Sequence, residues 1–298
     1  MRALTLITGK GGVGKTTVAS ALALELSRRG KEVLLVSTDP SGALAQIFPG
    51  VGDEVRRVAK GLSVVELTRR AVLARWRRRF GEEIYQVVSS LLPLERDVLD
   101  YIEGVPGIEQ EFMLSYLLEA ANSGEYAQIV WDAAPTAATL SLLEAQRLFY
   151  SHLTQAHKLY LKLRGYLKGA DPSQLIEGWR RLTLDILEML RTRSEAWVVA
   201  QPERLPVVQG LELMQALREF GIPLGKAVLN RFLPEDCPRC GPYQSKLARQ
   251  RRWAESWYAG CPQNSVTLPE LTKETIDREA LRELALLLLE DDSGSTHA

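Results

Sequence analysis

Residues 9 to 17 read GKGGVGKTT. Gly9 to Thr16 satisfies the spacing G-x-x-x-x-G-K-T, in which glycines let backbone N–H groups converge on phosphate oxygens. Gly11, Gly12 and Gly14 are the candidates for that cradle. Lys15 is expected to reach the β- and γ-phosphates of a nucleotide, and the Thr16 hydroxyl to ligate Mg²⁺, with Thr17 next in line. The chemistry is phosphoryl transfer from a nucleoside triphosphate. Lys10 has no role in that local design, because one lysine suffices for the phosphates.

Two aspartates follow short apolar runs: Asp39 after LLVST and Asp132 at the end of QIVWD. In a parallel sheet such positions share the edge that carries the phosphate loop. Asp132 is expected to hold the Mg²⁺ shell, and Asp39 to orient the attacking water or to cap a short helix at TDPS. A guanine site of the N-K-x-D type is missing at LNRFL, since Leu233 stands where the aspartate would be. The nucleotide is therefore read as ATP, with Asn230 at a strand end as a candidate contact to adenine.

These residues need a scaffold. Runs at 3–8, 32–37, 62–67, 127–132, 196–201, 226–230 and 264–269 are nearly all apolar rather than alternating. That pattern marks strands buried on both faces of a parallel sheet. Helical periodicity lies between them, as at 15–29 and 206–220, so the fold class is doubly wound α/β. Residues 68–126 and 139–195 hold only helical patterns and are expected to form a helical subdomain within a single domain of 298 residues. Residues 291–298 are expected to be a disordered tail.

Lysine plus arginine equals aspartate plus glutamate, 37 each. Zero net charge gives no general pull toward nucleic acid or an anionic membrane. No apolar run is long enough for a signal peptide core or a membrane span, so a cytoplasmic location is expected. Three cysteines do not make a disulfide framework.

The second lysine makes GKGGVGKTT resemble the deviant phosphate loop of dimeric NTPases such as ParA, MinD and the nitrogenase iron protein. Further stretches narrow the likeness: STDPSGALAQIF (37–48), YIEGVPGIEQ (101–110), DAAPTAATLSLL (132–143), QPERLPV (201–207) and NRFLPEDCPRC (230–240). In that order they resemble the ArsA-type family, the arsenite-pump and tail-anchored-protein targeting ATPases, over nearly the whole chain. The resemblance implies a homodimeric ATPase in which Lys10 crosses to the partner's nucleotide. It implies that Asp39 orients water, that Pro135 and Thr136 belong to a second switch, that Asn230 contacts adenine, and that Glu203 lies in a partner-facing loop. It also implies a hydrophobic membrane-protein segment as client, with a membrane receptor to accept it. The switches depart from the family pattern: Ser41, Gly42, Ala43 and Gln46 differ from D-P-A-H-N-L-S-D after Pro40. Ala133, Ala137, Ala138 and Ser141 differ likewise from D-T-A-P-T-G-H-T-L-R.

Cys237 and Cys240 form a C-x-x-C pair, half of a tetrahedral zinc site. A twofold axis would complete a Cys₄ site between protomers, and the resemblance favours that; a free thiol pair or a redox switch are the alternatives. The wide apolar helix faces are expected mainly as buried helix contacts, with a client groove as the sharper reading. Six arginines in 69–80 read as a solvated face, or as a docking site for an acidic partner or nucleic acid, which the zero net charge does not support. Other roles are an ATPase energising an anion or metalloid transporter, a MinD- or ParA-like positioning switch, and an iron–sulfur donor. The chain has no cysteine before residue 237, which counts against metalloid chemistry. The acidic segment 279–292 is unlike a MinD membrane helix.

Overall fold

The computed structural model describes residues 2–39, 41–91, 95–104, 108–163, 171–234, 240–261, 264–271 and 277–289. Among these residues eight strands form one sheet: β1 (Leu4–Gly9), β2 (Val33–Ser37), β3 (Arg56–Ala59), β4 (Leu62–Glu66), β5 (Gln128–Asp132), β6 (Ser194–Ala200), β7 (Leu224–Phe232) and β8 (Ser265–Pro269). Their order is β3-β4-β2-β5-β1-β6-β7-β8. Every described pairing is parallel except β3 with β4.

The lack of alternation along the strands has a direct cause. Side chains of a strand point to opposite faces in turn, and here both faces are covered. Val33 and Leu35 enter a core with α1 (Lys15–Arg28), α2 (Ala43–Ile47) and α10 (Arg278–Leu289). Leu34 and Val36 enter a larger core on the other face. That side carries α3 (Arg69–Leu91), α4 (Val98–Glu103), α5 (Ile108–Asn122), α6 (Thr136–Leu163), α7 (Ser173–Glu188) and α8 (Arg204–Phe220). The helix α9 (Gly241–Gly260) adds Ala254 and Trp257 to the same core. A π-helical turn, Met189–Arg193, joins α7 to β6.

Seven strands fall where the apolar runs predict them. The eighth, β3, is a half-exposed edge strand with a register shift between Arg57 and Ala59. Its arginines serve the margin: Arg56 donates to the Gly50 carbonyl at 2.7 Å, and Arg57 to Glu32 at 3.0 Å.

The apolar faces of α3, α5, α6 and α7 meet one another around five rings. Phe112 lies 5.9 Å from Trp76 and 5.2 Å from Phe80, and Trp179 lies 6.0 Å from Phe149, centroid to centroid. Edge-to-face and tilted pairs of this kind add to area burial. Most of the helical periodicity is thus internal packing. Leu148, Leu161 and Leu184 remain exposed on this layer.

A carboxyl group is buried inside it, beside the buried Thr183 and Gln146. Glu111 of α5 is fully buried, and Thr183 of α7 donates to its Oε1 at 2.8 Å. Its Oε2 is buried without a hydrogen-bond partner. Burial pushes the carboxyl up to about 7, against the Thr183 hydrogen bond and the neighbouring Gln146 amide.

The arginine-rich face of α3 is largely spoken for. Arg69 pairs with Glu109 at 3.1 Å, Arg70 with Asp53 at 3.9 Å, Arg77 with Asp100 and Glu103, and Arg79 with Glu119. Arg75 stacks on the Tyr116 ring. Exposed pairs of this kind contribute little each, but they neutralise the face that a docking partner would need.

Candidate active site

The phosphate loop lies between β1 and α1. Gly9 must lack a side chain, because a Cβ there would stand 2.1 Å from the Val199 carbonyl oxygen on β6. Gly14 adopts φ +97°, a conformation that other residues rarely adopt. It is the N-cap of α1 and supplies no side-chain cap. The first N–H groups of α1 therefore open toward the loop, where the helix dipole favours an anion.

The parallel register brings acids to that opening. Ile7 of β1 pairs with Asp132 of β5, and Asp132 pairs with Ser37 of β2. Asp132 is fully buried. Its Oδ2 accepts from the Thr16 hydroxyl at 2.9 Å and from the Ser37 hydroxyl at 3.0 Å. Its Oδ1 has no hydrogen-bond partner. Burial raises the carboxyl to about 6, while Thr16, Ser37 and Lys15 pull it down. A buried carboxylate oxygen without a donor, beside a threonine hydroxyl, fits the oxygen ligand set that Mg²⁺ takes.

Lys15 is 5% exposed. Its Nζ lies 3.3 Å from the Lys10 carbonyl oxygen and 4.0 Å from Asp39 Oδ2. Burial lowers its pKa, and the charges of Asp132 and Asp39 oppose that shift. The Lys10 side chain differs: among the described residues its ammonium has no hydrogen bond or ion pair, and only its carbonyl serves the loop.

Asp39 does not cap α2, whose N-cap is Gly42 without a side-chain bond. Instead its Oδ1 accepts from the Ser41 N–H at 3.0 Å, and its own N–H donates to the Ser37 hydroxyl at 3.2 Å. Ser37 thus joins Asp39 to Asp132. Asn230 is buried against the loop: its Nδ2 donates to the Val13 carbonyl at 2.8 Å and its Oδ1 accepts from the Arg231 N–H. In this conformation its amide holds the loop. Glu203 lies exposed just before α8, and Thr17 follows on the first turn of α1. Cys237 lies outside the described residues, whereas Cys240 is exposed at the start of α9. Among the described residues no group of three His, Cys, Asp or Glu could hold a metal.

Sequence reading misses three supports. Ser37 bridges the two acids, and Gln201 donates to the Gly12 carbonyl at 3.2 Å. Thr139 ties α6 to β1, accepting from Thr8 at 3.2 Å and donating to the Ala134 carbonyl at 2.7 Å. Only Ser37 carries a signal in sequence, as a small hydroxyl two residues before an acid.

A family model described as anion-transporting ATPase matches residues 1–290. A provisionally named arsenical pump-driving ATPase 2 of Aquifex aeolicus is 28% identical, across 94% of this chain and 97% of that protein. An ATPase GET3 of Phaeosphaeria nodorum is 26% identical, across 92% and 91%. An ATPase GET3C of Arabidopsis thaliana is 26% identical, across 89% and 75%.

Proposed function

The chain belongs to the anion-transporting, ArsA-type ATPase family and hydrolyses ATP, and from that premise we propose that it is a homodimeric switch that captures hydrophobic membrane-protein segments. The observation that carries the reading is the shared-edge cluster: Lys15, Thr16, Asp39 and Asp132 converge on the open N-terminus of α1, while among the described residues the Lys10 ammonium has no hydrogen bond or ion pair.

In this mechanism the loop N–H groups and Lys15 bind the phosphates. Thr16 and Asp132 would hold Mg²⁺, which would supply positive charge to offset that of the phosphates. Asp39 orients water for in-line attack. Lys10 of each protomer reaches the partner's nucleotide, so hydrolysis waits for closure, by the logic of a cationic finger supplied in trans. Asn230 sets the loop position and meets the adenine from the same strand end. Glu203 faces the partner. The segment 132–136 runs from the Mg²⁺ ligand into α6, whose helical layer exposes Leu148, Leu161 and Leu184 for a client. Cys237 and Cys240 would supply two thiolates to a Zn²⁺ shared with the partner's pair. The protein works in the cytoplasm and hands its client to a membrane receptor; no described helix is long and apolar enough to cross a membrane.

The test is co-expression with a tagged single-span tail-anchored protein, purification without detergent, and release with ATP. A soluble complex that ATP dissociates is expected. Intact ATPase activity with no complex would overturn client capture. The name of the Aquifex relative favours a second reading, an ATPase that energises an anion or metalloid transporter. Turnover stimulated by an oxyanion would support that one instead.

A further inference from the structure

A cavity of about 440 Å³ lies away from the phosphate loop, at the start of β7 and β8, between the ends of α8 and α9. Its volume is in the range of small-molecule sites. One side is apolar: Val198 of β6, Met214 of α8, Ile222 of the turn into β7 and Leu224 at the start of β7. A methionine in such a wall adapts to irregular shapes.

The other side carries Arg218 and Lys226. Among the described residues neither is in an ion pair. The Arg218 Nη2 lies 3.8 Å from the Cys261 sulfur, and the Lys226 ammonium lies 5.9 Å from the Trp197 ring centroid. The contrast with α3 is informative, because four of its arginines face carboxylates. Nor is Arg218 needed as the side-chain donor to the last carbonyl of α8. Arg191 takes that place, its Nε donating to the Phe220 carbonyl at 3.1 Å. Two cations outside any ion pair among the described residues therefore stand at the edge of an apolar hollow in a chain of zero net charge.

We propose that this cavity is a second small-molecule site, separate from the nucleotide, which takes an amphipathic monocarboxylate: apolar body against Met214, Ile222 and Leu224, carboxylate between Arg218 and Lys226. A planar guanidinium suits a carboxylate by paired N–H donors, and Lys226 adds a point charge.

Octanoate is the probe, with octanamide and inorganic phosphate as separate arms, titrated calorimetrically into the full chain. Octanoate is expected to bind and to shield Cys261 from iodoacetamide, read by peptide mass. The double variant Arg218→Gln, Lys226→Gln is expected to weaken binding at least tenfold with ATP turnover unchanged. Cys261→Phe, which keeps both cations and narrows the cavity, is expected to block binding. No binding of octanoate, equal binding by the double variant, or binding retained by Cys261→Phe would overturn the site. Octanamide or phosphate binding as tightly as octanoate would overturn the assigned class.

Discussion

The Thr16 hydroxyl donates to Asp132 Oδ2 at 2.9 Å, which joins two metal-ligand candidates 116 residues apart in the chain. That bond exists because β1 and β5 are parallel neighbours in a register that sets Asp132 opposite Ile7, just before the phosphate loop. The same burial that makes Asp132 useful makes its charge costly.

Asp132→Asn should therefore separate activity from stability. Turnover is expected to fall by roughly 10²–10³, the loss typical when one preorganised charge contact is removed. Without nucleotide, the variant is expected to melt higher than the parent at pH 8, because the neutral amide avoids the buried charge. Steady-state hydrolysis and thermal melts of both chains check this. A lower melting temperature would show that the carboxylate itself holds the strand ends.

Lys10→Ala is expected to lower turnover by roughly 10³–10⁵, as for a cationic finger, while ATP still binds. Mixing distinguishes the partner's site from its own. A mixed dimer of Lys10→Ala with Asp132→Asn contains one site with Asp132 from the first chain and Lys10 from the second. Recovery of activity on mixing two inactive chains is expected. No recovery, with dimers formed, would place Lys10 in its own site.

Asn230→Ala removes the amide that donates to the Val13 carbonyl. The loop loses a buried hydrogen bond worth about 1–3 kcal/mol when a partner is left unsatisfied. KM for ATP is expected to rise about tenfold, with a smaller change in kcat. Gly14→Ala is expected to be harsher, since a Cβ there would meet Asn230 Nδ2 at 2.3 Å. Nucleotide binding should be lost in Gly14→Ala and partly restored by adding Asn230→Ala.

Glu111 makes stability depend on pH. Folding raises its pKa from 4.5 to about 7, so between those values the folded chain holds a proton that the unfolded chain releases. The contribution is complete below about pH 4.5 and is lost as pH rises to about 7. Its full size is on the order of 3 kcal/mol. Asp132 adds a change of the same sign at lower pH, between 3.8 and about 6. Denaturant titrations at pH 5 and pH 8 are expected to show the parent losing more stability than Glu111→Gln. Equal losses would mean that Glu111 stays charged in the folded chain.

For the cysteine pair, metal analysis of the purified protein is expected to find one zinc per two chains. A strong chelator should then lower the dimer fraction in sedimentation. One zinc per chain would point to a ligand set within a protomer instead.

The parts legible in sequence are those with local causes. GKGGVGKTT reads as a phosphate loop because glycine spacing and a following helix are local properties, and the seven apolar runs read as strands because burial on both faces leaves a composition signature. β3 does not, as four residues with two arginines at a sheet edge bury too little to stand out. The partners of Asn230 and Gln201 were equally hidden. Each depends on how far β6 and β7 carry the chain beyond the phosphate loop. The arginines of α3 could be counted but not paired, because their carboxylates come from α4, α5 and the loop before β3.

That small edge strand has an effect on solubility. A parallel sheet ending at β4 would present a row of unpaired N–H and C=O groups to other copies of the chain, a template for strand-to-strand aggregation. β3 runs the other way, shifts register within four residues and turns Arg56 and Arg57 outward. The irregular, charged margin gives an incoming strand neither a regular ladder nor an apolar surface. The opposite margin is the five-residue β8, which ends at Pro269. The molecule is thus guarded at both sides of its sheet against polymerising through it.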